Sequence, residues 1–228
     1  MFSKVFLAQT EQEMAQYLPE RSAYMALHFS PYNQGLSNIP KMLPKGCLIL
    51  LDDSMPPETH APEQITAQLI DLVEQFAPSG VLLDFQQPVT GKLRTIAEKL
   101  VHSLPCPVGV TENYAKDLNC PVFLPPVPVN ISLRDYLAPW KNRGIYLEIA
   151  PEGCKFTVTE TGSKKTPIPI ISPLPLKDSN AHCHYNVEVL DDRAIFTVCR
   201  YKEDLSALVK DATKLGVLAC VGLYAELS

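Results

Sequence analysis

An apolar run, Gly80-Val81-Leu82-Leu83, ends on Asp84, and two residues further on stands Gln86. A carboxylate at the end of such a run sits where parallel-strand folds do their chemistry, because the carboxyl ends of the strands form the mouth. Cleaving a glycosidic bond takes two carboxyl groups about 5–10 Å apart, one protonating the leaving oxygen and the other acting as base or nucleophile. Gln86 hydrogen-bonds well but has no proton to give near neutral pH. Asp52, Asp53, Glu112, Glu148 and Glu226 also close apolar runs, and Glu112, Glu148 or Glu226 could serve as a relocated acid beside Asp84. Catalytic candidates are therefore Asp84, Glu112, Glu148 and Glu226. His28, Ser30, Tyr32, Asn113 and Tyr114 fall at similar positions, and Tyr32, Tyr114, Tyr146 and Tyr224 offer rings on which a sugar could stack. The ligand-binding set expected at one mouth is Asp84, Gln86, His28, Tyr32, Asp52, Glu112, Tyr114, Tyr224 and Glu226. Asp84 also has a plainer reading, as a carboxylate that caps the next turn or pairs with a lysine. The single tryptophan, Trp140, lies in a predicted helix, which leaves the groove short of stacking surface.

Other chemistries find less support. His182-Cys183-His184 on a strand would put both histidines on one face, but no CxxC or HExxH spacing accompanies them, so no metal is expected. There is no glycine-rich phosphate loop, GxSxG or GxGxxG, and no cofactor is expected. The net charge is −5 and the lysines and arginines do not cluster, which argues against nucleic acid. No apolar stretch approaches the roughly 18 residues of a membrane helix, and the N-terminus lacks the form of a signal peptide, so no membrane partner and a cytoplasmic location are expected. The seven cysteines are irregularly spaced in apolar contexts and read as reduced core residues. A carbohydrate or another small polar ligand is the expected partner; the sequence sets no oligomeric state.

The elements that must position these residues alternate. Apolar strands are predicted near residues 4, 23, 46, 80, 107, 121, 144 and 217. Helices are predicted over about 11–18, where Thr10 and Glu13 form a capping box, and over 62–76, with Pro62 in its first turn and Ile65, Leu69, Leu72, Val73 and Phe76 on one face. Further helices are expected at about 91–103, from near Ser132, and up to Leu215 with Gly216 as cap. Eight near-continuous apolar strands separated by amphipathic helices predict a compact α/β fold, a closed (β/α)₈ TIM-type barrel, with some connections too short for full helices. Residues 153–201 depart from that pattern. CKFTVTETGSKK and HYNVEVLDDRAIFTVCRY alternate and turn at Thr161-Gly162 and Asp191-Asp192, so they predict an antiparallel β insertion before the last strand, within a single barrel domain of residues 1–228.

The chain resembles the chitinase-like glycoside hydrolases of family eighteen, which are (β/α)₈ barrels with Asp-Gly-x-Asp-x-Asp-x-Glu on the fourth strand. Here that stretch is Ser79-Gly80-Val81-Leu82-Leu83-Asp84-Phe85-Gln86: the glycine and last aspartate match, while Ser79, Leu82 and Gln86 replace two aspartates and the catalytic glutamate. The tail is also similar, with Asp191-Asp192-Arg193-Ala194-Ile195, a helix, and Gly216-Val217-Leu218 running on to Leu227, and with Tyr224 near the family's floor tryptophan. In the family the glutamate protonates the glycosidic oxygen, the substrate's acetamido group attacks the sugar carbon, and the neighbouring aspartate orients that group. The resemblance therefore implies a degenerate, chitinase-like pseudoenzyme that binds a carbohydrate at its mouth. The alternative it leaves open is a hydrolase with an acid elsewhere.

Overall fold

The computed structural model describes residues 5–55, 61–171 and 173–228. Along the chain come β1 (Val5–Gln9), α1 (Glu11–Gln16), β2 (Ser22–Phe29), β3 (Leu36–Ser37), β4 (Leu48–Asp52), α2 (Pro62–Phe76), β5 (Gly80–Asp84) and α3 (Gly91–Ser103). There follow β6 (Val108–Thr111), α4 (Glu112–Ala115), β7 (Val122–Leu124), α5 (Leu133–Leu137), a 3₁₀ turn at Ala138–Trp140, and β8 (Ile145–Glu148). The antiparallel strands β9 (Glu152–Thr159), β10 (Gly162–Pro167), β11 (Leu176–Asp178), β12 (Cys183–Val189) and β13 (Arg193–Arg200) come next, then α6 (Lys202–Lys214), β14 (Ala219–Leu223) and α7 (Tyr224–Leu227).

Eight parallel strands close on themselves in the order β1-β14-β8-β7-β6-β5-β4-β2, with β1 pairing β2 to shut the ring. This is the TIM-like α/β barrel that the eight apolar runs predict. The first predicted strand includes Lys4, which lies outside the described residues. Closure satisfies every edge without a free strand, and alternate residues turn inward. Phe6, Ala8, Ala23, Leu48, Leu50, Leu82, Phe123, Tyr146, Ala219 and Val221 fill the interior. Tyr146 fits because β6 carries Gly109, where a Cβ would lie 3.0 Å from Tyr146 Cδ2 and 2.8 Å from Leu82 Cδ2. The outward residues meet the helices, with Ile65, Leu69, Leu72 and Val73 of α2 and Leu93, Ile96, Ala97 and Leu100 of α3 buried on the stripes that the sequence marks.

Local signals set the helix ends. Thr10 and Glu13 make the reciprocal capping box, Glu13 N–H to Thr10 Oγ1 at 3.3 Å and Thr10 N–H to Glu13 Oε2 at 2.8 Å. Gly216, at φ 88°, ends α6. Between β8 and β14 the insertion forms its own five-stranded sheet, ordered β10-β9-β13-β12-β11. Its apolar end (Cys154, Cys183 and Val198) packs on Val129 and Ala181. Arg200, 1% exposed, fastens the sheet to the barrel: its guanidinium donates to the carbonyls of His182 at 3.2 Å, Ala181 at 2.9 Å, and Val127. Among the described residues no helix is long and apolar enough to cross a membrane.

Candidate functional site at the barrel mouth

Inward alternation along β4, β5 and β8 brings Asp52, Asp84 and Glu148 two positions above the interior residues Leu50, Leu82 and Tyr146. The three carboxylates are thus the top layer of the barrel filling. They line one cavity of about 130 Å³ together with Met25, Leu50, Phe123 and Leu223. Asp52 and Asp84 sit side by side in register on neighbouring strands. A smaller cavity of about 50 Å³ adjoins it, sharing Phe123 and Glu148 and adding Gln86, Glu112 and Asn113.

Each of these groups has a distinct environment. Gln86 donates its side-chain amide to Asp84 Oδ1. Asp53, 2% exposed, accepts the backbone N–H groups of Gln86 and Gln87, both at 2.9 Å, and so fixes the segment that carries Gln86. Asp52 accepts the Ser54 N–H at 2.8 Å. Burial raises the pKa of Asp84; the Gln86 hydrogen bond opposes this, and the charges of Asp52 and Asp53 add to it. Glu148 is displaced further. Burial first, then the charges of Asp84 and Glu226, push its pKa up to about 7. Two carboxyl groups in one cavity with unequal proton affinities can divide acid and base roles, the one with the higher pKa holding the proton.

The remaining sequence candidates fall in several places. Glu112 lines the smaller cavity, whereas Glu226 is exposed on α7 and lines neither, although its charge reaches Glu148. His28 is in register with Asp52, but its ring is spent on the rim, with Nδ1 2.8 Å from the Phe29 carbonyl and Nε2 3.1 Å from Asn38 Nδ2. Tyr32 is 94% exposed in the loop after β2. Tyr114 is buried edge-on to Phe85 with its hydroxyl 3.4 Å from the Gln87 carbonyl, and Tyr224 stacks on Tyr17 with ring centroids 5.7 Å apart. Tyr146, expected as a stacking ring, is buried in the barrel interior below Glu148 because Gly80 and Gly109 leave room for it there. His182 and His184 do not share a strand face. His182 precedes β12 with a left-handed backbone (φ 49°), and its Nε2 lies 3.6 Å from Asp211, whereas His184 Nδ1 lies 3.0 Å from the buried Asp204. Sequence reasoning left out Met25, Leu50, Phe123 and Leu223 as cavity walls; the two-residue alternation that places Asp52 and Glu148 would have found Leu50. It also missed Asp53 as the anchor of residues 86 and 87.

A closed parallel barrel with an antiparallel sheet inserted before its last strand is the architecture that these elements define. It is similar to a chitinase from Chromobacterium violaceum ATCC 12472 (TM-score 0.55, 11% identity, 98% of this chain and 94% of that one). It is similar as well to the Bacillus cereus spore cortex-lytic enzyme SleL (0.55, 8%, 98% and 70%) and to a glycoside hydrolase family 18 N-acetylglucosaminidase from Paenibacillus barengoltzii (0.54, 8%, 99% and 98%). At these identities the likeness is one of fold. No protein-family model and no curated protein matches the chain.

Proposed function

We propose that this chain is a chitinase-like barrel that binds a carbohydrate or another small polar ligand at its C-terminal mouth and does not cleave it through residue 86. The observation that carries this reading is the Gln86 amide donating to Asp84, with Asp53 accepting the backbone N–H groups of residues 86 and 87. If residue 86 stands where the family has its proton donor, that position here is an amide whose hydrogens serve to hold Asp84. Removing an essential acid takes away about 10²–10⁴-fold of rate. The cavity walls support a ligand role, since apolar Met25, Leu50 and Leu223 face carboxylates that accept hydroxyl hydrogens.

A second reading is favoured by Glu148. It shares the mouth cavity with Asp84 and has a pKa pushed up to about 7, so it could protonate a leaving oxygen with Asp84 as the partner carboxyl that activates water. Turnover of a fluorogenic N-acetylglucosamine oligomer separates the two. The binding reading expects negligible hydrolysis by the wild type and at most a weak gain in Gln86→Glu. Robust wild-type turnover that survives Gln86→Ala and disappears in Glu148→Gln would establish the hydrolase instead.

A further inference from the structure

A second concave site lies away from the mouth, where the start of α5, the end of α6 and the loop before β12 meet. It has a volume of about 630 Å³, within the roughly 300–1,000 Å³ common for small-molecule sites, and shares no lining residue with the two mouth cavities. We propose that this flank cleft binds a neutral oligosaccharide, held by hydrogen bonds from side chains that both donate and accept.

The lining has no net formal charge: Arg134 and Lys214 are balanced by Asp135 and Asp211. Lys214 lies 2.7 Å from Asp211, and Ser132 donates to Asp135 at 2.6 Å, so both carboxylates are already engaged and neither sign dominates. An ionic ligand would therefore gain little long-range attraction. A sugar hydroxyl, which both donates and accepts, suits a wall of alternating donors and acceptors.

His182 is the centre of this wall. It is 7% exposed, lines the cleft, and is held at φ 49°, a left-handed conformation that a non-glycine residue keeps only where its surroundings hold it. Its carbonyl is fixed by Arg200, so the chain turns there while the imidazole faces the cleft opposite Asp211. Burial lowers its pKa, with Asp211 opposing and Arg200 assisting. The neutral ring then offers one donor and one acceptor nitrogen. Asn180 supplies an amide with the same dual character, and Leu133 and Leu215 give the cleft apolar walls on which a ring's C–H face can rest.

The test is a titration of the protein with neutral trimers of N-acetylglucosamine and of glucose, followed at the imidazole Cε1–H resonances. The other four histidines serve as internal references. At least one trimer should shift His182 saturably below about 10 mM, and Asn180→Ala should weaken that binding about tenfold, the loss of about one hydrogen bond. Asn180 lies in an exposed turn, so this variant keeps the fold. The proposal is overturned if neither trimer moves His182, or if Asn180→Ala binds as well as the wild type. It is also overturned if inorganic phosphate shifts His182 in an Arg134-dependent manner while the sugars do not.

Discussion

Glu148→Gln should make the protein more stable at pH 8 and have a much smaller effect at pH 5. In the folded chain the Glu148 pKa rises from 4.5 to about 7, through burial and then the charges of Asp84 and Glu226. A folded pKa above the unfolded one means that the folded state binds the extra proton. Stability from this group is therefore complete below about pH 4.5 and is lost as pH rises through 7. At about 1.4 kcal/mol for each tenfold change in proton affinity, the loss approaches 3 kcal/mol above pH 7, an order-of-magnitude ceiling. A glutamine keeps the shape of the protonated acid and carries no charge to bury. Asp84 contributes in the same sense, and His182, whose folded pKa is lowered, contributes in the opposite sense as pH falls through the range of its titration. The informative quantity is therefore the difference between variant and wild type, in which the other groups largely cancel. Urea unfolding of both proteins at pH 5 and pH 8 measures it. A stability difference that does not change with pH, or a variant less stable at pH 8, would refute the claim that Glu148 is a buried acid at the mouth.

Three further outcomes follow from the packing. Arg200→Met leaves three buried carbonyls without a donor and should cost about 3 kcal/mol or more, read by chemical denaturation, with the inserted sheet losing its hydrogen-exchange protection first. Gly109→Ala drives a methyl group against Leu82 and Tyr146 in a filled barrel; a lowered melting temperature corresponding to about 1–3 kcal/mol is expected, and an unchanged one would contradict the interior packing. Asp53→Asn turns an NH₂ group toward one of the two backbone N–H donors and should cost about 1–3 kcal/mol, with amide exchange quickening at Gln86 and Gln87.

Much of the barrel is legible in the sequence because its signals are local. Pro62 marks a helix start, the stripes Ile65-Leu69-Leu72-Val73 and Leu93-Ile96-Ala97-Leu100 mark buried faces, and the two helices run over 62–76 and 91–103 as predicted. β3 and β11, of two and three residues, are set by pairing to a neighbour rather than by their own composition. The mouth was half legible. Alternation along β8 already ties Glu148 to the same side as Tyr146, but how deep the Tyr146 ring sits depends on glycines two and three strands away, Gly109 and Gly80. The aromatic residues show the limit of position alone. Tyr114 and Tyr224 follow strand ends as expected, yet each packs against another ring and neither lines a mouth cavity. The left-handed turn at His182 accompanies a hydrogen bond from Arg200, eighteen residues on, which no local pattern announces.

The central claim is that a saccharide binds at the barrel mouth without being cleaved. The most direct measurement is a methyl-resolved NMR titration with an N-acetylglucosamine oligomer, reading the protein and the sugar in one sample. The Met25, Leu50 and Leu223 methyl groups that wall the mouth cavity should shift saturably, and the oligomer's anomeric signals should persist unchanged. Mouth methyl groups that do not respond, or anomeric signals of shorter products growing in, would contradict it.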